Sequence, residues 1–317
     1  MRRSPPDEGA RIFPILFRSL HLPLENREAR SLNRLWRANQ AAELCPCCAG
    51  PAKRRGVVNG AHRRYLDVDH VPVGDYNQGM TDARYGWLDT QFHLNTLPRA
   101  QFFLWPALAE FKLDFVLYGG TAIALRLAHR ESVDFDFFST RHFQPGELRA
   151  RAPLLHATET LQASPDTLVV LKPGASGDVK LSFFGGLDLA RVMPPVENPD
   201  NGLRVASLLD LAGTKVKAVQ DRAELKDYLD LAALLRHGLG LFDALRAAMT
   251  IFGNSFNPLV SLKALVYFED GDVRGLGDGE RRLLETQAAH VDLTRLTPFS
   301  LERIPLDAKA GQNHKPA

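Results

Sequence analysis

The hydrophobic and polar positions in the middle of the chain predict a strand, a glycine turn and a short helix. Residues 115–118 form an apolar run that stops at Gly119 and Gly120, a pattern typical of a buried strand followed by a tight turn. A helix-favouring segment over 122–128 comes next, and Thr121 is expected to cap its first turn. The turn and the helix are therefore predicted to be continuous.

A second strand is predicted directly after this helix. Aspartate and phenylalanine alternate at Asp134, Phe135, Asp136 and Phe137. Alternate side chains of a strand share a face, so the two carboxylates should point together while the two rings point the other way. The sequence thus predicts a pair of adjacent carboxylates beside the glycine turn.

The remaining periodicity predicts helices packed on a mixed β-sheet, followed by a helical C-terminal half, which is an α/β (α+β) fold. Pro106 should kink the first helix, and Ser207 with Asp210 should form a capping box. Further elements are predicted as helices over 97–111, from Gln144 onward and over 208–237, and as strands over 167–172 and 178–184.

Composition shifts predict four segments. Residues 1–84 are expected to be a poorly ordered extension, and Met80 is the expected natural start. The sheet-containing core should cover 85–195, and the helical domain 196–300. The end, 301–317, is expected to be a disordered tail.

The composition is that of a soluble globular protein of the reducing cytoplasm. Apolar residues make up 45% of the chain and charged residues 24%, and no run approaches the roughly 18 apolar residues of a membrane helix. The net charge is +2; residues 1–79 hold +5, which leaves −3 for the rest. Bulk charge therefore does not indicate a nucleic-acid-binding protein, and RNA binding would need a local basic groove.

The three cysteines lie together near the N-terminus. Cys45, Cys47 and Cys48 could form a zinc knuckle with His62, although the C-x-C-C spacing is cramped for tetrahedral zinc. The alternatives are a disordered extension and an arginine-rich arm that contacts RNA.

The central stretch combines two features of nucleotidyl transfer. A glycine turn at a helix N-terminus presents free N–H groups to a phosphate, which makes Gly119, Gly120 and Thr121 candidate nucleotide-binding residues. Paired carboxylates repel unless a cation lies between them, and Mg²⁺ prefers such ligands together with substrate phosphates. Asp134 and Asp136 are therefore candidate metal ligands and catalytic residues. The structural alternative is a βαβ-like unit with an exposed D-x-D at a strand end.

A basic stripe is predicted on the long helix over 208–237. Lys215, Arg222 and Lys226 lie within about 40° of one another if that helix is continuous. The stripe could be a solvated face or a set of triphosphate-binding side chains.

The motif Gly119-Gly120-Thr121 followed by Asp134-Phe135-Asp136 resembles the signature of the DNA polymerase β-like nucleotidyltransferase superfamily. The longer segment over 118–139, YGGTAIALRLAHRESVDFDFFS, is more similar still to the AbiEii/AbiGii toxin family of type IV toxin–antitoxin systems. The similarity runs from about residue 97 to about residue 270. The resemblance implies a nucleotidyltransferase-like sheet with NTP as substrate and Mg²⁺ as cofactor.

The resemblance also implies roles for a second block of residues. Lys215 matches the family lysine that grips the triphosphate and is a candidate catalytic residue. Asp227 matches the aspartate needed for activity and is the candidate catalytic acid or base, with Asp230 as the alternative. The superfamily usually carries a third carboxylate on a later strand, where this chain has Ser182. This departure puts a two-metal mechanism in doubt.

By resemblance the acceptor would be RNA, with a tRNA 3′ end as the example, and the protein partner a cognate antitoxin. The residues themselves do not identify the acceptor. The alternative function is a non-catalytic nucleotide- or RNA-binding module with a degenerate site, for which the missing third carboxylate argues.

Overall fold

A computed structural model describes residues 91–300 and 302–308. The predicted extension, the candidate zinc ligands (Cys45, Cys47, Cys48 and His62) and Met80 lie outside these residues.

The core of the fold is a seven-stranded mixed sheet with the order β3-β4-β5-β2-β1-β8-β7. Strand β2 lies antiparallel to β1 and parallel to β5, and β1 is parallel to β8. The α/β class expected from the sequence is confirmed. The strands of this sheet are β1 Val116–Tyr118, β2 Asp134–Phe138, β3 Glu159–Ser164, β4 Thr167–Lys172, β5 Val179–Phe184, β7 Val196–Glu197 and β8 Arg204–Val205, while β6 Ala190–Arg191 pairs separately with β9 Ile304–Pro305.

Eight α-helices accompany the sheet within the described ranges. None of these helices is both long and apolar enough to cross a lipid bilayer. The first helix ends at Leu104, just before Pro106, the residue expected to kink it. The chain continues from there as a 3₁₀ helix, Trp105–Phe111. The helices are α1 Arg99–Leu104, α2 Gly119–Leu127, α3 Pro145–Arg151, α4 Leu208–Asp221, α5 Leu225–Arg236, α6 Leu241–Phe252, α7 Pro258–Leu265 and α8 Asp278–Ala289.

Strand β2 divides an aromatic core from a polar face. Phe135 and Phe137 are fully buried, whereas the residues that alternate with them are partly exposed, as the pattern predicted. The ring of Phe137 stacks on that of Phe183 from β5, with centroids 5.0 Å apart. Burying such a side chain contributes about 2–3 kcal/mol, so the core face fixes which side of β2 carries the carboxylates.

The start of α4 is fixed by two polar residues. The Ser207 hydroxyl accepts the backbone N–H of Asp210 at 3.0 Å, which confirms that half of the predicted capping box. The Asp210 carboxylate instead accepts the backbone N–H groups of Val192 and Met193, at 2.8 and 3.0 Å. Helix α4 is therefore tied to the segment that follows β6.

Three regions differ from the sequence-based expectation. The long helix over 208–237 is two helices, because α4 ends at Asp221 and α5 begins at Leu225. Strand β3 was not predicted from the sequence. It is an exposed edge strand of the sheet and therefore lacks the alternation of buried and exposed residues. Strands β7 and β8 belong to the sheet although they lie beyond residue 195.

The last described residues are attached to the sheet, in contrast to the disordered tail expected from residue 301. Strand β9 pairs with β6, and the side chain of Asp307 accepts hydrogen bonds from Ser139 Oγ at 3.1 Å and from Thr140 Oγ1 at 2.7 Å. Arg204 Nη1 donates to the carbonyl of Asp307 at 2.7 Å. The end of β2 thus holds this segment through polar contacts that hydrophobic periodicity does not reveal.

Candidate active site

The turn between β1 and α2 lies directly against the carboxylate pair. Gly119 has a φ of +77°, and a Cβ at this position would overlap the Asp136 carboxylate. A Cβ on Gly120 would overlap the guanidinium of Arg130. Both glycines therefore permit a close approach, and the first also permits the left-handed backbone.

Helix α2 begins at Gly119, three residues before the predicted start at residue 122. The expectation that Thr121 caps this helix is wrong: its hydroxyl donates to the backbone carbonyl of Asp134, which ties the helix to β2. No side chain caps the first turn. The first N–H groups of a helix have no intrahelical acceptor, so this turn keeps the donors that a phosphate needs.

The two carboxylates of β2 face two polar residues of β5. In the parallel register Asp134 lies opposite Lys180, and Asp136 lies opposite Ser182. Lys180 Nζ donates to Asp134 Oδ2 at 2.7 Å. Burial raises the pKa of Asp136 and repulsion from Asp134 adds to this, while Lys180, Lys215 and a hydrogen bond from Ser182 act in the opposite direction.

This donor set fits a small divalent cation. Two carboxylates on one face are what Mg²⁺ takes from a protein when substrate phosphates complete its coordination. Within the described ranges, no group of three or more His, Cys, Asp or Glu side chains could hold a metal ion. Within these ranges, no other acidic side chain therefore supplies the third carboxylate that Ser182 lacks beside Asp134 and Asp136.

A buried ion network lies next to the carboxylate pair and centres on Lys215 of α4. Its ammonium is 2.7 Å from Asp227 Oδ1 and 2.6 Å from Asp230 Oδ2, and both aspartates of α5 have no exposed side-chain surface. Burial opposes the charge on Lys215, but the two carboxylates outweigh it and raise the lysine pKa. Arg222 donates to Asp227 Oδ2 at 2.7 Å.

Both aspartates stay ionised in this network. Burial disfavours their charged forms, yet Lys215 and Arg222 lower the pKa of Asp227 below its ordinary value. Lys215, His129 and Arg130 likewise hold the pKa of Asp230 well below the usual range, again against burial. Carboxylates with such low pKa values are poor proton acceptors, so the arrangement favours positioning of cations over general-base catalysis.

Arg130 and His129, to which the sequence motifs assign no role, connect this network to the glycine turn. Arg130 donates from Nε and Nη2 to the two oxygens of Asp230, at 2.6 and 2.8 Å. His129 Nε2 lies 2.8 Å from Asp230 Oδ1. The same arginine packs over Gly120. The signal that could have suggested this link is a cation directly after a glycine-turn helix.

The predicted basic stripe is not one helical face. Arg222 has an extended backbone, with φ −155° and ψ 151°, because α4 has already ended. Lys215 and Arg222 still meet at Asp227. Lys226 pairs instead with Glu224 at 2.8 Å and is half exposed. The predicted stripe assumed one continuous helix over 208–237. The helix instead ends at Asp221, where the sequence contains neither glycine nor proline.

The structure therefore brings most of the predicted site residues together. The turn of Gly119 and Gly120 contacts Asp136 and Arg130. Lys215 and Arg222 are close enough to Asp136 to interact with its charge. Lys180 also lies on this face, in contact with Asp134, and no motif in the sequence indicates a role for it.

Replacing Gly119 with alanine should destabilise the protein by about 1–2 kcal/mol, because a left-handed backbone strains any residue with a Cβ. The new methyl group would also displace the Asp136 carboxylate. Urea denaturation of the purified variant measures this. Gly146→Ala is the matched control, since no atom lies within 4 Å of a Cβ placed there, and it should unfold no more easily than the wild type. Equal stability of the Gly119→Ala variant and the wild type would contradict the strain.

Known proteins resemble this chain over the region that contains these residues. A sequence profile described as "Nucleotidyl transferase AbiEii toxin, Type IV TA system" matches residues 103–293, a range that includes every site residue named above. A relative described as "Uncharacterized protein aq_aa25" from Aquifex aeolicus (strain VF5) is 36% identical over 161 residues, which are 50% of this chain and 75% of that protein.

One solved structure was also compared, "Crystal structure of putative nucleotidyltransferase from H. pylori". It is 16% identical to this chain, covers 62% of it and is itself covered to 92%, with a TM-score of 0.38. At that score the structural likeness is weak.

Proposed function

Because the chain belongs to the nucleotidyl transferase AbiEii toxin family of type IV toxin–antitoxin systems, we propose that it is a Mg²⁺-dependent enzyme that moves a nucleoside monophosphate from an NTP to an acceptor hydroxyl. The observation that carries this proposal is the position of the Asp136 carboxylate against Gly119, with Asp134 on the same face of β2. A phosphate-binding turn and a pair of metal-binding carboxylates are thereby adjacent.

Asp134 and Asp136 would hold the ion. When bound, Mg²⁺ neutralises charge on the triphosphate and polarises the phosphoryl oxygens. Desolvation and repulsion from Asp134 both raise the pKa of Asp136 in the ion-free protein, and a bound cation would offset both.

The nucleotide phosphates would bind at the glycine turn, beside Asp136. The backbone N–H groups of Gly119, Gly120 and Thr121 supply donors at the positive end of α2. Lys215 and Arg222 add positive charge beside Asp136. Lys226 could join them only by leaving Glu224, to which it is now paired.

The transfer itself is an in-line displacement. The acceptor hydroxyl loses its proton to solvent, and its oxygen forms a bond to the α-phosphorus. The bond from that phosphorus to the bridging oxygen breaks, and pyrophosphate leaves with the electron pair. Asp227 and Asp230 serve this step by fixing Lys215, Arg222 and Arg130 where negative charge develops.

The acceptor that we propose is RNA, beginning with the 3′ end of tRNA, and the proposed partner is an antitoxin encoded with this protein. Membership of a toxin family supports both proposals. We also propose a cytoplasmic location, because RNA and NTPs are both present there.

Incubation of the full chain with Mg²⁺, total cellular RNA and each α-labelled NTP in turn tests the function. Label should enter RNA with one or more nucleotides, and EDTA should prevent it. Separation of the RNA by size then identifies the acceptor. Transfer of label to protein or to a small molecule would support the nucleotidyltransferase activity and refute RNA as the acceptor.

A non-catalytic nucleotide-binding module is the second candidate, and the serine in place of a third carboxylate favours it. Both functions predict NTP binding with Mg²⁺, so binding alone does not distinguish them. Nucleotide binding without label transfer to any acceptor would establish the module and overturn the enzyme.

A further inference from the structure

Lys180 lies beside Asp134 on the face that carries the carboxylate pair. It lies on the same face of β5 as Ser182, directly opposite Asp134 in the register. Its ammonium is 2.7 Å from Asp134 Oδ2 and is close enough to lower the pKa of Asp136. A positive charge therefore already contacts one of the two metal-binding carboxylates.

A two-metal site needs more negative charge than this chain provides. The two ions of such a site are about 3.5–4 Å apart and share carboxylate ligands. Ser182 is neutral, and no further acidic, histidine or cysteine side chain of the described ranges joins the pair. A second divalent ion beside Asp134 would have to displace Lys180.

Formal charges indicate what replaces the missing ion. Asp134, Asp136 and Lys180 together carry −1, and one divalent ion would change this to +1. Three carboxylates with two divalent ions also carry +1. The combination of Lys180 and Ser182 thus leaves the site with the same net charge after binding one ion instead of two.

We propose that Lys180 takes the place of the second cation, so that this site binds a single divalent ion together with its nucleotide. Lys180 is a positioning residue: its ammonium, 2.7 Å from Asp134 Oδ2, holds that carboxylate in place while the one ion accompanies the triphosphate. The proposal rests on the proposed function and specifies its metal requirement.

A surface ion pair that only stabilises the fold does not explain the arrangement. The side chains of Lys180 and Asp134 are 37% and 30% exposed, and pairs of that exposure stabilise proteins little. The pair is instead placed where its charge acts on Asp136.

The test counts bound Mn²⁺ by electron paramagnetic resonance, with Mn²⁺ as the probe and the α,β-methylene analogue of each NTP in turn. The full-length wild type should bind one Mn²⁺ per chain. The Lys180→Met/Ser182→Asp variant should bind two, because it restores a third carboxylate and removes the competing ammonium. Two ions in the wild type would overturn the proposal.

The single variant Lys180→Met keeps the test valid if the double variant does not fold. Without nucleotide it should bind Mn²⁺ about tenfold more tightly, since the ammonium no longer competes for Asp134. Its kcat should nevertheless fall by about 10²-fold, as for loss of one electrostatic partner of a transition state. Weaker Mn²⁺ binding in this variant would refute the proposal, because a merely structural lysine would reduce both quantities.

Lys172→Met provides the matched control, because Lys172 lies on the adjacent strand β4 and donates to the backbone carbonyl of His156. It should change neither Mn²⁺ affinity nor kcat. The two Mn²⁺ measurements need no turnover, so failure of the proposed transfer reaction would be separable from failure of the single-ion site.

Discussion

Asp136→Asn should reduce nucleotidyl transfer by about 10³-fold, because a metal ion that loses a carboxylate ligand forfeits several kcal/mol of charge stabilisation. The same substitution should leave the free energy of unfolding unchanged or raise it. The reason is that the surrounding side chains desolvate the Asp136 carboxylate and Asp134 repels it, so its charge is costly in the nucleotide-free protein. Asparagine has the same shape without that charge. Label transfer and urea denaturation, measured on the same preparation, check both parts.

A loss of transfer activity without a loss of stability would identify Asp136 as a functional carboxylate and not a structural one. Asp178→Asn is the matched control, because Asp178 is exposed and directly precedes β5. That variant should retain full transfer. Retention of more than about a tenth of the activity by Asp136→Asn would show that the D-x-D pair does not hold the catalytic ion.

Lys215→Met should reduce both stability and activity. Asp227 and Asp230 are fully buried and share this ammonium, and breaking a buried ion pair costs about 3–5 kcal/mol. We expect the lower end of that range, since Arg222 and Arg130 continue to neutralise the two carboxylates. The midpoint of urea unfolding reports the loss. Transfer should fall by about 10²-fold or more at temperatures where the variant is folded, because positive charge beside the triphosphate is missing.

Lys217→Met separates these two effects. Lys217 lies on the same helix with similar burial, but its ammonium is 2.5 Å from the Asp221 carboxylate, one turn further along the helix. Its substitution should leave nucleotide transfer intact. If both lysine variants lost transfer to the same extent, the role of Lys215 would be structural only.

The parts of the site that sequence reasoning predicted are those with local signals. Alternation placed Asp134 and Asp136 on one face of a strand, and the buried rings of Phe135 and Phe137 confirm it. The glycine pair marked the turn, and the left-handed backbone of Gly119 supplies the physical reason. Each of these features depends on residues a few positions apart.

The parts that sequence reasoning could not reach depend on distant partners. Arg130 and Asp230 are 100 residues apart, and nothing in either neighbourhood indicates that they meet. The break between α4 and α5 is another example, because Arg222 and Ala223 favour a helix locally as well as their neighbours do. There the Asp272 carboxylate accepts the backbone N–H of Leu225 at 2.7 Å, which holds the start of α5 from outside the helix.

The hydrogen bonds of Asp307 extend the ordered contacts of the sheet past the region that family similarity identifies. The profile match ends at residue 293, yet Asp307 accepts hydrogen bonds at the end of the strand that carries Asp134 and Asp136. A truncation designed from the match alone would remove β9 and leave Ser139 and Thr140 without this acceptor. An expression boundary placed after Ala308 keeps the hydrogen bonds of Asp307 with Ser139 and Thr140 at the end of β2.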